Sequence, residues 1–355
     1  MEVEWIKKMN RTEIINKLQN KKLFKTLIFL IIGCCLVMIA SLIFGKYGII
    51  TPKELYKVVL YWITNNDKYY SINVNIIQYI RLPRMIAAFL VGSSLAVAGL
   101  VYQNTFNNNL ISPDLLGVNA GCCVGAGIAI LIGLSNVYVS LFAFVFGVLS
   151  VLFALLLDKM FGNKASVTLV LSGIIVGSFM NSIVGIIKYM ADKEDKLSSI
   201  TFWMMGSLSG IKLNEIIHVI IIVTICLMIL YLMSSKLDAI SLGYEDATSI
   251  GLNYRLIRLI IIVCSTLLTT TTVSISGSVG WVGLIIPHIS RFIIRNRSKD
   301  VIPVCILFGG IFMILVDMFT RLFSIDEIPL SIITGLLGAL IYAIVLIKKG
   351  KSIYE

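Results

Sequence analysis

The sequence predicts an all-α, polytopic integral membrane protein with about ten transmembrane helices, and three observations carry that prediction. Apolar residues make up 58% of the 355 and charged residues only 14%, against about a quarter in ordinary soluble domains. Too little polar surface remains to cover a water-facing body of this size. Apolar runs of about 20 residues, the length that crosses a bilayer as a helix, recur along the chain. They are continuous, as over 219–233 and 259–268, unlike the short alternating segments of a membrane barrel. The same composition excludes a soluble globular enzyme, a disordered chain and a secreted disulfide scaffold.

Taken in order, the first 26 residues are a basic segment carrying Lys7, Lys8, Arg11, Lys17, Lys21, Lys22 and Lys25. The apolar run over 27–44 is long enough to span and has no small-residue cleavage site, so it reads as a signal anchor with the N-terminus inside. Helices are expected over 27–45, 85–103, 115–133, 136–157, 166–188, 214–233, 258–276, 279–294, 301–320 and 330–347. The domain therefore runs over 27–347, between a cytoplasmic basic segment at 1–26 and a cytoplasmic basic tail at 348–355 with Lys348, Lys349 and Lys351. This threading puts 19 of the 30 Lys and Arg inside and 11 outside, the sign that the positive-inside bias demands. It also accounts for the net charge of +11 without nucleic acid. The seven cysteines all fall in apolar runs and read as small packing residues. Two histidines, His218 and His288, are too few for a His-based metal cluster.

The eighth helix is expected to be short, broken or tilted, because Gly277 precedes it and Gly280, Gly283 and Pro287 fall within it. Irregular backbone at membrane depth is tolerated only where protein buries it or where it lines a cavity. Glycines four residues apart, at 117, 121 and 125 and again at 173 and 177, let helices approach closely. Residues 238–252 form an amphipathic inside loop, patterned as two short helices with a turn between them. Asp317 stands four residues before Arg321, the spacing of a helical ion pair. His288 beside Pro287 reads as structural, and Trp203 in the fifth-to-sixth loop as an interfacial tryptophan. No phosphate-binding loop occurs: Gly350-Lys351-Ser352 looks like the end of one, but position 345 is Val.

Four stretches go beyond generic membrane helix. They are Arg81-Leu82-Pro83-Arg84 leading on to Leu116-Gly117; Phe202-Trp203-Met204-Met205-Gly206-Ser207-Leu208; Leu242 to Leu252; and Gly277 to Arg291, followed by Asp317, Arg321 and Glu327-Ile328-Pro329. Together and in this order they make the chain resemble the FecCD-type permease subunit of the iron-siderophore, haem and cobalamin class of ABC importers, over about residues 27–347. It departs from that pattern at Asn109, where proline is usual, at Ile111, where alanine is usual, and at Ser331, where glycine is usual.

The resemblance implies a non-enzymatic transport subunit of the cell membrane, paired with a second permease as homodimer or heterodimer. Two cytoplasmic ABC ATPases would bind the ATP and Mg, with no cofactor in this chain, and an external substrate-binding protein would deliver an Fe(III)-siderophore, haem or cobalamin. It assigns Arg81, Arg84 and Arg321 to docking of the binding protein, where the plainer reading is anchoring of helix ends. It assigns Leu242, Gly243, Glu245, Ala247 and Gly251 to the segment that couples to the ATPase, and makes Ser166, Thr168, Gly280, Gly283 and Pro287 candidates for the pathway or its gate. An ion-coupled secondary carrier, the other class, would need buried acids near mid-membrane.

Overall fold

A computed structural model describes residues 2–46, 48–66, 69–161, 166–192, 194–294, 297–322 and 327–354, with side chains from residue 21 onward except at 166, 345, 346 and 348–354. Among the described residues every element is helical. Seven helices are long and apolar enough to cross a membrane, and three shorter apolar helices accompany them.

Helix α1 (Glu2–Ile43) runs without a break through the basic segment and the first apolar stretch, where two separate units were expected. Helix α2 (Pro52–Thr64) was not anticipated. It is amphipathic and closed by a capping box: Thr51 donates its backbone N–H to Glu54 at 2.8 Å, and its hydroxyl oxygen accepts the Glu54 N–H at 3.4 Å. Val58 on its inner face packs with Ile50, Val74 and Ile77.

Helix α3 (Ile72–Thr105) begins well before the expected residue 85. The turns over Ile76–Arg81 widen to π geometry just ahead of Pro83. Proline has no N–H and its ring presses on the carbonyl four residues back, and the wider turn absorbs that insertion within a continuous helix. A short 3₁₀ turn (Pro113–Leu116) precedes α4 (Val118–Leu131), so the third expected helix is broken at Gly117. Helices α5 (Asn136–Met160), α6 (Ser166–Met190) and α8 (Leu213–Leu232) fall where expected. The intervening α7 (Lys196–Met205) replaces the loop expected around Trp203.

Helices α9 (Ser234–Ile240) and α10 (Tyr244–Ser249) are the anticipated short pair. Helix α11 (Tyr254–Ser276) is followed by irregular backbone, then by α12 (Val282–Ile293), which is indeed short. Helix α13 (Ser298–Leu322) and α14 (Leu330–Tyr354) complete the chain, α14 extending beyond the expected end at 347.

Helix α3 is the axis of the bundle: 89% of its most apolar stretch is buried, more than for any other long helix. Its core joins residues of α8, α11, α12 and α13. A second core lies among α4, α5 and α6. Helix α11 serves both, with Ile261 and Leu268 in the first and Ile262 and Val273 in the second. Neighbours reach α3 closely because glycines face each other. A Cβ on Gly92 would run into the Gly309 carbonyl, and one on Gly99 into the Gly283 carbonyl. Gly121 and Gly125 do the same for α4 against the backbone of α5. Small facing residues give membrane helices their packing contact where lipid offers no hydrophobic gain.

Gly99→Val is expected to destabilise the chain by about 3 kcal/mol, the upper end of overpacking, as a lower thermal midpoint in detergent. Gly33→Ala, whose Cβ would meet only Ile311 Cδ1 at 3.9 Å, is expected to be neutral or stabilising by up to about 1 kcal/mol.

Candidate functional site

Two polar assemblies occupy opposite ends of α3. At the first end, expected to lie outside, Arg81, Arg84 and Arg321 come together, and all three are buried, at 1%, 5% and 5% exposure. Their donors are used within the chain. Arg84 Nε donates to Asp317 Oδ1 at 2.5 Å and its Nη1 to Glu327 Oε1 at 2.7 Å. Arg321 reaches the other Asp317 oxygen at 3.1 Å and donates to Ser41 Oγ at 2.8 Å. Arg81 donates at 2.7 Å to each of the carbonyls of Leu42, Ile43 and Gly48. Leu42 and Ile43 end α1, where carbonyls lack helical partners, so Arg81 caps that helix.

Asp317 is wholly buried between two guanidinium groups. The spacing-based pair with Arg321 is present, but Arg84, 233 residues away in sequence, makes the shorter contact. Burial at this depth is sustained only by such pairing. Above the cluster opens a cavity of about 1060 Å³, bordered by Arg81, Arg84, Arg321, Glu327, Phe202 and Lys212.

At the opposite end stands the short helical pair. Gly243 (φ +110°) turns the chain between α9 and α10, and Gly251 (φ +81°) ends α10. Both angles suit glycine, and a side chain at either position would be strained. Ala247 is fully buried in the main core and fastens α10 to the bundle. Leu242 and Ile250 project outward at 63% and 61% exposure, and Glu245 is exposed beside them. A rigid, glycine-bounded pair anchored on one face and apolar on the other has the form of a docking element.

Beside this pair Pro287, lacking an N–H, frees the Gly283 carbonyl of α12. Gln103 Nε2 of α3 donates to that carbonyl at 3.4 Å and to Leu284 O at 3.3 Å. This substitution of a side chain for a lost helical bond is what allows proline at membrane depth. Gly283 and Pro287 are buried as packing residues, and of the three gate candidates on this stretch Gly280 alone is partly exposed. Trp281 caps α12 with a left-handed backbone (φ +71°), unusual for a bulky residue. Thr168 donates to Asp158 Oδ1 at 2.5 Å, and Asp158 faces Arg258 at 3.8 Å, a buried cluster with no signal in the sequence spacing. The side chain of Ser166 lies outside the described residues. His288 packs edge-on against Tyr342, with ring centroids 6.0 Å apart.

Residues 29–348 match the FecCD transport family. The chain belongs to that family and is a permease subunit of an ABC importer, a multi-pass membrane protein. It is 36% identical to the molybdate import system permease protein MolB of Haemophilus influenzae, over 77% of this chain and 81% of that one. It is 31% identical to the "Probable iron chelatin transport system permease protein" of Helicobacter pylori, over 87% of this chain and 94% of that one. Its fold superposes on a solved structure described as "an inward-facing conformation of a putative metal-chelate type ABC transporter", with a TM-score of 0.82 and 32% identity, over 91% of this chain and 99% of that one.

Asp317→Ala is expected to cost about 3–5 kcal/mol, because it leaves two buried guanidinium groups short of their acceptor. Glu327→Gln is expected to cost less, since Glu327 is 23% exposed and water can replace it. Chemical unfolding of the two variants in detergent checks that order.

Proposed function

We propose that this permease moves an iron chelate, foremost an Fe(III)-siderophore, into the cytoplasm. Cytoplasmic ABC ATPases that bind ATP and Mg drive it, and an external binding protein feeds it. The observation that carries the cargo reading is the likeness to a metal-chelate transporter over nearly the whole chain. Haem and cobalamin belong to the same class of cargo. A second reading, molybdate, is favoured by the 36% identical relative.

In this scheme both termini are cytoplasmic, α9 and α10 face the ATPases, and the arginine end faces out. Leu242 and Ile250 enter a groove of the ATPase, while Gly243, Glu245, Ala247 and Gly251 fix and flank them. Binding-protein docking falls on the face above Arg81, Arg84 and Arg321. The pair open to exchange there is Arg84 with Glu327, whose carboxylate is partly exposed, so a partner carboxylate would compete with Glu327. A second permease subunit, identical or related, completes the pathway. Thr168 and Gly280 are the gate candidates this reading keeps, with Ser166 beside Thr168 in sequence.

Uptake of labelled iron as several siderophores and as haem, of cobalamin and of molybdate is measured in cells with and without this gene and with an ATPase-dead partner. Loss of one iron chelate, dependent on that ATPase, is the expected result. Loss of molybdate alone favours the second reading, and unchanged uptake of every cargo, with redundant importers removed, rejects the proposal. Leu242→Glu and Ile250→Glu are each expected to weaken ATPase binding by about 30-fold, the effect of losing a central apolar contact worth about 2 kcal/mol. Co-purification of the ATPase with the tagged permease reads this directly.

A further inference from the structure

A continuous line of hydrogen bonds joins the short helical pair to the half-length helix α12. Asp238 on α9 accepts the Ser298 backbone N–H at 3.0 Å and the Ser298 hydroxyl at 2.5 Å. Ser298 opens α13, so a carboxylate on one helix caps the N-terminus of another, where orphan N–H groups and the helix dipole favour negative charge. The same Ser298 hydroxyl accepts from Asn104 Nδ2 at 2.7 Å. Asn104 Oδ1 accepts from Arg291 Nη2 of α12 at 2.7 Å, and Arg291 Nη1 donates to Gln103 Oε1 at 2.5 Å and Asn109 Oδ1 at 3.0 Å. Gln103 then holds the carbonyls of Gly283 and Leu284, at the start of α12.

Ser298, Asn104 and Gln103 each donate toward one neighbour and accept from another, while Asp238 only accepts and Arg291 only donates. A carboxylate terminates the line at the helical pair, and at α12 the Arg291 guanidinium and, through Gln103, the Gly283 and Leu284 carbonyls receive it. Asp238 and Arg291 do not touch; the Asn104–Ser298 bond between them is neutral and worth about 1 kcal/mol, and so able to re-pair, while the bonds of these two groups to Asp238 and Arg291 are charge-assisted and worth about 1.5–3 kcal/mol. Helix α12 is itself a discrete body: twelve residues between the irregular backbone after Gly277 and the extended Ile294.

We propose that Asp238, Ser298, Asn104, Gln103 and Arg291 transmit displacement of α9 and α10 to α12, making them positioning residues of the transport cycle. The inference rests on the reading that α9 and α10 receive the ATPase. Its merit over plain packing is that these bonds connect three elements, α9, α13 and α12, through the end of α3, and a transmitted motion needs such a contiguous network with a movable element at its end.

The test uses the reconstituted permease–ATPase complex carrying Gly280→Cys, a site with open space at its Cβ, in a Cys35→Ala background that removes the exposed native thiol. Labelling by a membrane-impermeant maleimide is timed with and without ATP, Mg and vanadate. The expected result is a nucleotide-dependent change in labelling rate of about fivefold or more, the low end of an inter-site coupling. Asn104→Asp is isosteric and keeps an acceptor for Arg291 while losing the donor to Ser298; Ser298→Ala removes the hydroxyl link. Each is expected to abolish the nucleotide-dependent change while the ATPase still co-purifies with the permease variant, which loss of fold alone would not allow. Persistence of the change in both variants, or its absence with the line intact, overturns the inference. Leu242→Glu is run in parallel. Retained ATPase in that variant overturns the coupling reading and the relay with it, whereas its loss there, with labelling unaltered in Asn104→Asp, overturns the relay alone.

Discussion

Enclosure of α3 is the constraint from which the other features follow. A helix surrounded by protein can let neighbours approach only where side chains vanish, and Gly92 and Gly99 provide those places against α13 and α12. It must also settle its polar ends inside the protein, because hydrocarbon offers no partner. At one end Arg81 and Arg84 do so by binding α1 and α13. At the other end Gln103 and Asn104 bind α12 and α13. One helix thereby reaches both polar assemblies, and the two ends are joined by a segment that is 89% buried along its most apolar stretch.

The helical architecture was legible because it depends on run length and composition, which are local. So were the pair at 238–252, from its glycines and amphipathic pattern, and the shortness of the eighth helix, from its glycines and proline. What sequence could not supply were contacts across long separations. Asp317 suggested Arg321 four residues on, but nothing local marks Arg84 as its nearer partner or joins Asp238 to Ser298. The burial of the arginines was not legible for the same reason, because the carboxylates and carbonyls that hold them are contributed by distant stretches. Helix α2 and the π turns before Pro83 were missed because an amphipathic helix of 13 residues lacks a spanning signal and Pro83 reads as a start.

Asn109, a departure from the usual pattern of the family, has a visible use: its side-chain oxygen takes a hydrogen bond from Arg291. Proline there would offer no such acceptor. Family membership thus fixes the scaffold, while individual positions alter how firmly particular helices are held. Pro287 illustrates the converse. Its missing N–H creates a need in α12, and Gln103 on another helix meets it, so two residues far apart in sequence depend on each other chemically.

Withdrawal of the arginine–carboxylate cluster from water has a further consequence, concerning ionic strength. Dissolved ions screen exposed charges over about 10 Å at ordinary salt but act much less on buried pairs. The contacts of Asp317 with Arg84 and Arg321 will hold alike in dilute and concentrated electrolyte. Salt acts instead on the exposed charges Lys53, Lys57 and Lys212 and on the partly exposed carboxylate of Glu327. The protein thereby separates charge that maintains architecture from charge left in contact with the medium, and ionic strength can tune the second without loosening the first.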